Sequence, residues 1–139
     1  PAAIASSWPL DGGSGGHPLH GGHEKPTTGA EAQTLDSYVA EVDLKRVDFI
    51  KLDVDGNECQ VLRGGLETLQ RFHPPIILEL APYVFSSGEN SFAAFIELLR
   101  SAGYILVRSP GGAALALDAT ALASAIPDGA SLNAWAMPA

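Results

Sequence analysis

The sequence predicts an α/β domain built on a largely parallel sheet. Three observations predict it. Short β-prone runs recur at 47–54, 76–80 and 104–108. Stretches with helical apolar spacing separate them, and turn residues punctuate each change of period. Parallel strands joined through helices in this way cross over right-handed.

Residues 1–33 are rich in Gly, Pro, Ser, Thr and His and show no sustained apolar period, so they read as one long Gly/His-rich loop. A loop of that length beside a compact domain is either functional or disordered. The domain proper is expected over 34–139. Thr34 is suited to cap a helix carrying Leu35, Tyr38, Val39 and Val42. The run Val47–Val54 follows, hydrophobic enough for a strand covered on both faces and interior to its sheet. Asp55-Gly56 is a turn dipeptide. A helix from Asn57 to Phe72 buries Val61, Leu62, Leu66 and Leu69, with a kink or close packing at Gly64-Gly65. His73-Pro74-Pro75 stops it. Ile76–Leu80 is a second buried strand, and Ser91 caps a helix with Phe92, Phe95, Ile96 and Leu99 that Gly103 ends. Tyr104–Arg108 is the third strand. Ala113–Ala125 is ambiguous, and Leu132–Met137 reads as a last strand.

Composition narrows the function. The 139 residues suffice for one domain, and 46% of them are apolar, enough for a core. A net charge of −8 repels phosphate backbones and anionic lipid, so neither nucleic acid nor a membrane surface is an expected partner; a small molecule is. Cys59 is the sole cysteine, excluding an internal disulfide, and a buried packing role is expected for it. No apolar run reaches the roughly 20 residues of a membrane span, and the cytoplasm is the expected compartment. The chain opens on Pro1 and its only methionine is Met137, so a fragment, a processed form or an excised piece of a longer protein is expected. The oligomeric state is not written in the sequence.

The chemistry concentrates in Asp53-Val54-Asp55-Gly56-Asn57-Glu58, where three carboxylates share six positions at a strand-to-helix switch. Asp53 and Glu79 both fall at strand ends on the carboxyl edge of the sheet, where open α/β folds bind ligands. If the strand persisted, Asp53 and Asp55 would point to one side. Glu58 falls in a first helical turn, where negative charge is favoured. Lys51, one pleat before Asp53, can neutralise part of the cluster. An ordinary Asp-Gly turn with an ordinary ion pair is the structural alternative.

From Thr34 onward the order of residues resembles the FkbM-type methyltransferase domain. The likeness rests on Thr34-Leu35-Asp36-Ser37, on Val47 through Glu58, on Val61-Leu62-Arg63-Gly64-Gly65, on Pro75-Ile76-Ile77-Leu78-Glu79 and on Gly103-Tyr104. It covers about residues 34–107. The resemblance implies a Rossmann-like class I methyltransferase fold, a seven-stranded sheet with helices on both faces, of which this chain would be the C-terminal half. It also implies S-adenosylmethionine as methyl donor and a hydroxyl of a sugar, polyketide or related metabolite as acceptor. On that analogy 47–53 is the fourth strand, 75–80 the fifth, and Asp53 faces donor and acceptor. The glycine-rich cofactor loop of the family is not found here. The glycines of 12–22 do not replace it, having no strand before and no prompt helix after. Weak or absent cofactor binding by these 139 residues alone is therefore expected.

Asp53 is the expected base for the acceptor hydroxyl, with Asp55 or Glu58 orienting the acceptor or sharing a divalent metal ion, and with neighbouring carboxylates raising one another's proton affinity. Glu79, His17 and His20 are assigned to the substrate. His17, His20 and His23 match no established zinc spacing, and a solvated loop is their simpler reading. A haloacid dehalogenase-type phosphatase using Asp53 and Asp55 is the enzymatic rival, although Asn57 replaces the expected Thr and no later acidic pair is evident for Mg²⁺. A non-catalytic remnant of the methyltransferase fold is the other. A calcium loop is excluded, because Gly56 stands fourth, counting Asp53 as the first, rather than sixth, and a strand precedes it.

Overall fold

A computed structural model of the chain describes the backbone of residues 7–9 and 24–26 and all atoms of residues 31–139. Two compact units divide between Gln33 and Thr34. In the first, β1 (Ser7–Pro9) pairs antiparallel with β2 (Glu24–Pro26), Trp8 opposite Lys25. The stretch read as a loop thus holds a short strand pair. Three-residue strands are too short to leave an alternation in the sequence.

The second unit begins at α1 (Leu35–Glu41), where the Thr34 side chain accepts from Ser37 N–H at 3.1 Å. β3 (Ile50–Leu52) is much shorter than the apolar run around it. The long helix expected after it is split into α2 (Glu58–Arg63) and α3 (Leu66–Phe72) at Gly64-Gly65. The cause is close approach. A Cβ on Gly64 would stand 3.2 Å from Thr34 Cβ, and one on Gly65 would stand 2.9 Å from Leu35 Cδ2. Gly65 has no side chain to cap α3, and Asp36 does it from α1. Its carboxylate accepts from Glu67 N–H at 3.2 Å, Thr68 N–H at 2.8 Å and the Thr68 hydroxyl at 2.6 Å. The Thr-Leu-Asp and Gly-Gly motifs are therefore two halves of one packing contact.

His73 ends α3 in a left-handed conformation, and the chain enters β4 (Ile76–Leu80) after two prolines. Ser91 caps α4 (Phe92–Ser101), accepting from Ala94 N–H at 3.2 Å, and its whole apolar stripe is buried. β5 (Tyr104–Arg108) follows. The ambiguous stretch divides into β6 (Ala114–Leu115) and α5 (Ala119–Ala125), the latter capped by Asp118, which accepts from Ala121 N–H at 2.8 Å. β7 (Leu132–Pro138) ends the sheet.

The five strands lie in the order β3-β4-β7-β5-β6. β3 and β4 are parallel. β7 inserts antiparallel between β4 and β5, and β6 pairs antiparallel with β5. The sheet is mixed rather than largely parallel, and β3 is its edge rather than an interior strand. Leu52, Ile76, Leu78, Leu80, Leu106 and Ala134 join one buried cluster with residues of α2, α3, α4 and α5. The alternate residues face the other way and stay partly or largely exposed, Ile105 at 48%. Among the described residues helices thus cover one face, not both. Hydrophobicity on both sides of β4 reads as two-sided burial, but it records only that both sides are apolar. No described helix is long and apolar enough to cross a membrane.

Candidate active site

Leu52 faces the core, so Lys51 and Asp53 on either side of it face the open side of the sheet. Register places Lys51 beside Ile77 and Ile77 beside Trp135, while Glu79 pairs with Asn133 one row further along. Lys51, Asp53, Ile77, Glu79 and Asn133 line a pocket of about 190 Å³ there, at the carboxyl ends of the two parallel strands. Asp53 and Glu79, read from sequence as strand-end acids, are brought together. The Lys51 ammonium forms an ion pair with Asp53 Oδ2, and Glu79 Oε1 accepts from the Ser131 hydroxyl. Phe49 and Trp135 lie on the same face, ring centroids 6.3 Å apart.

The rest of the expected cluster does not join the pocket. β3 ends at Leu52, and Asp55 and Gly56 take positive φ of 48° and 94°. Strand alternation therefore stops before Asp55, and its exposed carboxylate is not part of the pocket lining. A side chain on Gly56 is barred twice over, by its φ and by Val84 O, 2.5 Å from where a Cβ would stand. Glu58 turns inward. It is 4% exposed and accepts from Val54 N–H at 3.3 Å and Gly56 N–H at 2.9 Å, so it braces the turn from beneath and has no open path to a substrate. Burial pushes its carboxyl above the ordinary value, outweighing those hydrogen bonds; the charge of Asp55 adds a smaller increment.

Cys59 is fully buried, its thiol donates to Ser91 O at 3.7 Å, and burial raises its pKa, in keeping with packing. His17, His20 and His23 lie outside the described residues. Among the described residues, no three His, Cys, Asp or Glu side chains are grouped to hold a metal ion, so a metal shared by Asp53, Asp55 and Glu58 finds no support. The phosphatase reading pairs Asp53 with Asp55, and with Asp55 exposed and outside the pocket lining it finds no support. Sequence reading missed Asn133 and Ser131, and the signal that could have found the first was an asparagine inside a β-prone run, a residue that strands disfavour.

The family profile described as the Methyltransferase FkbM domain matches residues 6–106. The chain belongs to the FkbM methyltransferase domain family. A stretch of 71 residues is 34% identical to the 2-O-methyltransferase NoeI of Sinorhizobium fredii (strain NBRC 101917 / NGR234), covering 51% of this chain and 29% of that protein's length. No solved structure matches the chain. The FkbM match spans α1, β3, the Asp53–Glu58 turn, both halves of the split helix and β4, and so includes both acids of the pocket.

Two cavities formed by the described residues do not fit S-adenosylmethionine, the donor that the FkbM family implies. The pocket at Asp53 falls below the roughly 300–1,000 Å³ that encloses a ligand of comparable size. A groove of about 500 Å³, bounded by the Pro82–Val84 turn, α4 and α5, is large enough but presents only apolar and hydroxyl side chains, with no carboxylate for a ribose. Neither cavity combines the volume with the acid.

Proposed function

We propose that the chain supplies the acceptor side of an S-adenosylmethionine-dependent O-methyltransferase with a Rossmann-like fold, acting on a hydroxyl of a sugar, polyketide or similar small metabolite. The single observation carrying this reading is the pocket shared by Asp53 and Glu79 at the open ends of β3 and β4, in a chain of the FkbM family. Its size suits a small hydroxylated fragment rather than a nucleoside.

In this reading the donor supplies an electrophilic methyl group and the residues described here hold the acceptor. Methylation of a hydroxyl needs the oxygen held in place and its proton accepted. Asp53 accepts the proton, because its Oδ2 is committed to Lys51 and its Oδ1, which has no partner among the described residues, is left to receive the acceptor O–H. Lys51 holds the Asp53 carboxylate in place through the ion pair at Oδ2. Glu79, fixed by Ser131, orients the acceptor from the neighbouring strand. Glu58 acts through the turn it braces and is a positioning residue. The 2-O-methyltransferase name of the S. fredii relative is consistent with a hydroxyl acceptor.

The test is to incubate the complete gene product with methyl-labelled S-adenosylmethionine and a panel of hydroxylated sugars and polyketide alcohols, locating the label by mass spectrometry. Label on an acceptor oxygen is the expected outcome. Transfer only to nitrogen or carbon acceptors would contradict the proposal.

A further inference from the structure

Asparagine is disfavoured in strands because its short amide competes for backbone hydrogen bonds. Yet Asn133 sits in β7, flanked on both sides by β4 and β5. Its amide is exposed, lines the pocket beside Glu79 and Asp53, and makes no hydrogen bond among the described residues. Sheet formation gives no reason for an amide at this position. A residue that breaks a local rule beside a pocket is expected to serve the pocket's ligand.

The neighbours say which ligand. Asn133 is paired with Glu79 across the strands, and Glu79 has one oxygen committed to Ser131 and the other, Oε2, without a hydrogen bond among the described residues. A carboxylate oxygen only accepts, while an amide both donates and accepts. A hydroxyl between the two satisfies both, donating its proton to Glu79 and accepting from the Asn133 amide N–H. This position lies beside Asp53, within the span of neighbouring strands about 4.8 Å apart. It is therefore within one small ring of the hydroxyl at Asp53.

We infer that Asn133 and Glu79 form a second-hydroxyl subsite, making Asn133 a specificity-determining residue that selects a polyhydroxylated ring over an acceptor with an isolated hydroxyl. The inference rests on the acceptor-site reading above and narrows its substrate class. Ile77, which lines the same pocket, gives such a ring an apolar contact.

The test is a ¹⁵N–¹H NMR titration of the 139-residue chain with myo-inositol, and separately with cyclohexanol, following the side-chain amide signals of Asn133. The expected result is a saturable shift with myo-inositol and an apparent affinity about 5- to 10-fold weaker with cyclohexanol, as for one lost hydrogen bond to a charged or amide partner. Asn133→Asp, of the same size, should weaken myo-inositol binding by a similar factor, read from the backbone amide signals of the pocket residues Lys51 and Ile77, while leaving the rest of the backbone spectrum in place. No saturable shift with myo-inositol, or equal affinity for the two probes, would overturn the inference. The wild-type comparison requires no variant to fold. Because it needs no methyl donor, its failure is distinct from a failure of the O-methyltransferase reading, which the labelling experiment reports.

Discussion

Asp36→Ala is the substitution whose cost the structure defines most fully. The Asp36 carboxylate takes three hydrogen bonds, two from the first turn of α3 and one from the hydroxyl of Thr68, a residue only 2% exposed. Loss of a helix cap costs about 1 kcal/mol. A buried hydroxyl left without a partner adds about 1–3 kcal/mol. The sum is about 2–4 kcal/mol, and at about 3 °C per kcal/mol for a chain of this size the melting temperature falls by about 6–12 °C. Urea and thermal unfolding followed by circular dichroism measure it. Thr68→Val in the Asp36→Ala background removes the stranded hydroxyl and should recover about 1 kcal/mol or more, a coupling that a double-mutant cycle reads directly. A loss under about 0.5 kcal/mol, or strict additivity of the two changes, would refute the argument that the Thr-Leu-Asp motif exists to cap α3.

Two further outcomes follow from the turn beneath the site. Gly56→Ala places a Cβ against a backbone carbonyl at a φ of 94°, and should cost about 2 kcal/mol or more in urea unfolding, whereas Gly65→Ala meets only the tip of Leu35 and should cost clearly less. The raised pKa of Glu58 means that the folded protein holds its proton above the ordinary value of 4.5; the stability this contributes is full below that pH and is lost as pH rises through the higher folded value. Wild type should therefore lose stability relative to Glu58→Gln as pH rises above 4.5, and a difference that is constant or shifts in favour of wild type with pH would contradict the burial of that carboxyl.

Much of the fold is legible in the sequence. The caps at Thr34 and Ser91, the stripe of α4, the break at His73-Pro74-Pro75 and the approach of Asp53 to Glu79 follow from local chemistry: side-chain oxygens that cap, glycines that allow contact, apolar runs that pair. What is not legible depends on the third dimension. Asp55 leaves the pocket because of a left-handed φ that Asp-Gly permits but does not by itself announce. Glu58 sits where first-turn acids usually do, but its burial depends on how α2 packs. The edge position of β3 and the open face of the sheet are hidden because an apolar run does not say whether anything covers it. Asp118 offers a cap signal that is easily passed over, because alanine-rich helix and loop look alike.

The reading of the site turns on Asp53, and not its neighbour Asp55, taking the proton of the acceptor. Turnover of the complete gene product bearing Asp53→Asn or Asp55→Asn, measured side by side on the same acceptor, separates the two acids. A fall of about 10²–10⁴-fold in kcat is expected for Asp53→Asn, with Asp55→Asn within a few-fold of wild type. Unchanged kcat in Asp53→Asn, or the larger loss in Asp55→Asn, would remove Asp53 from the role.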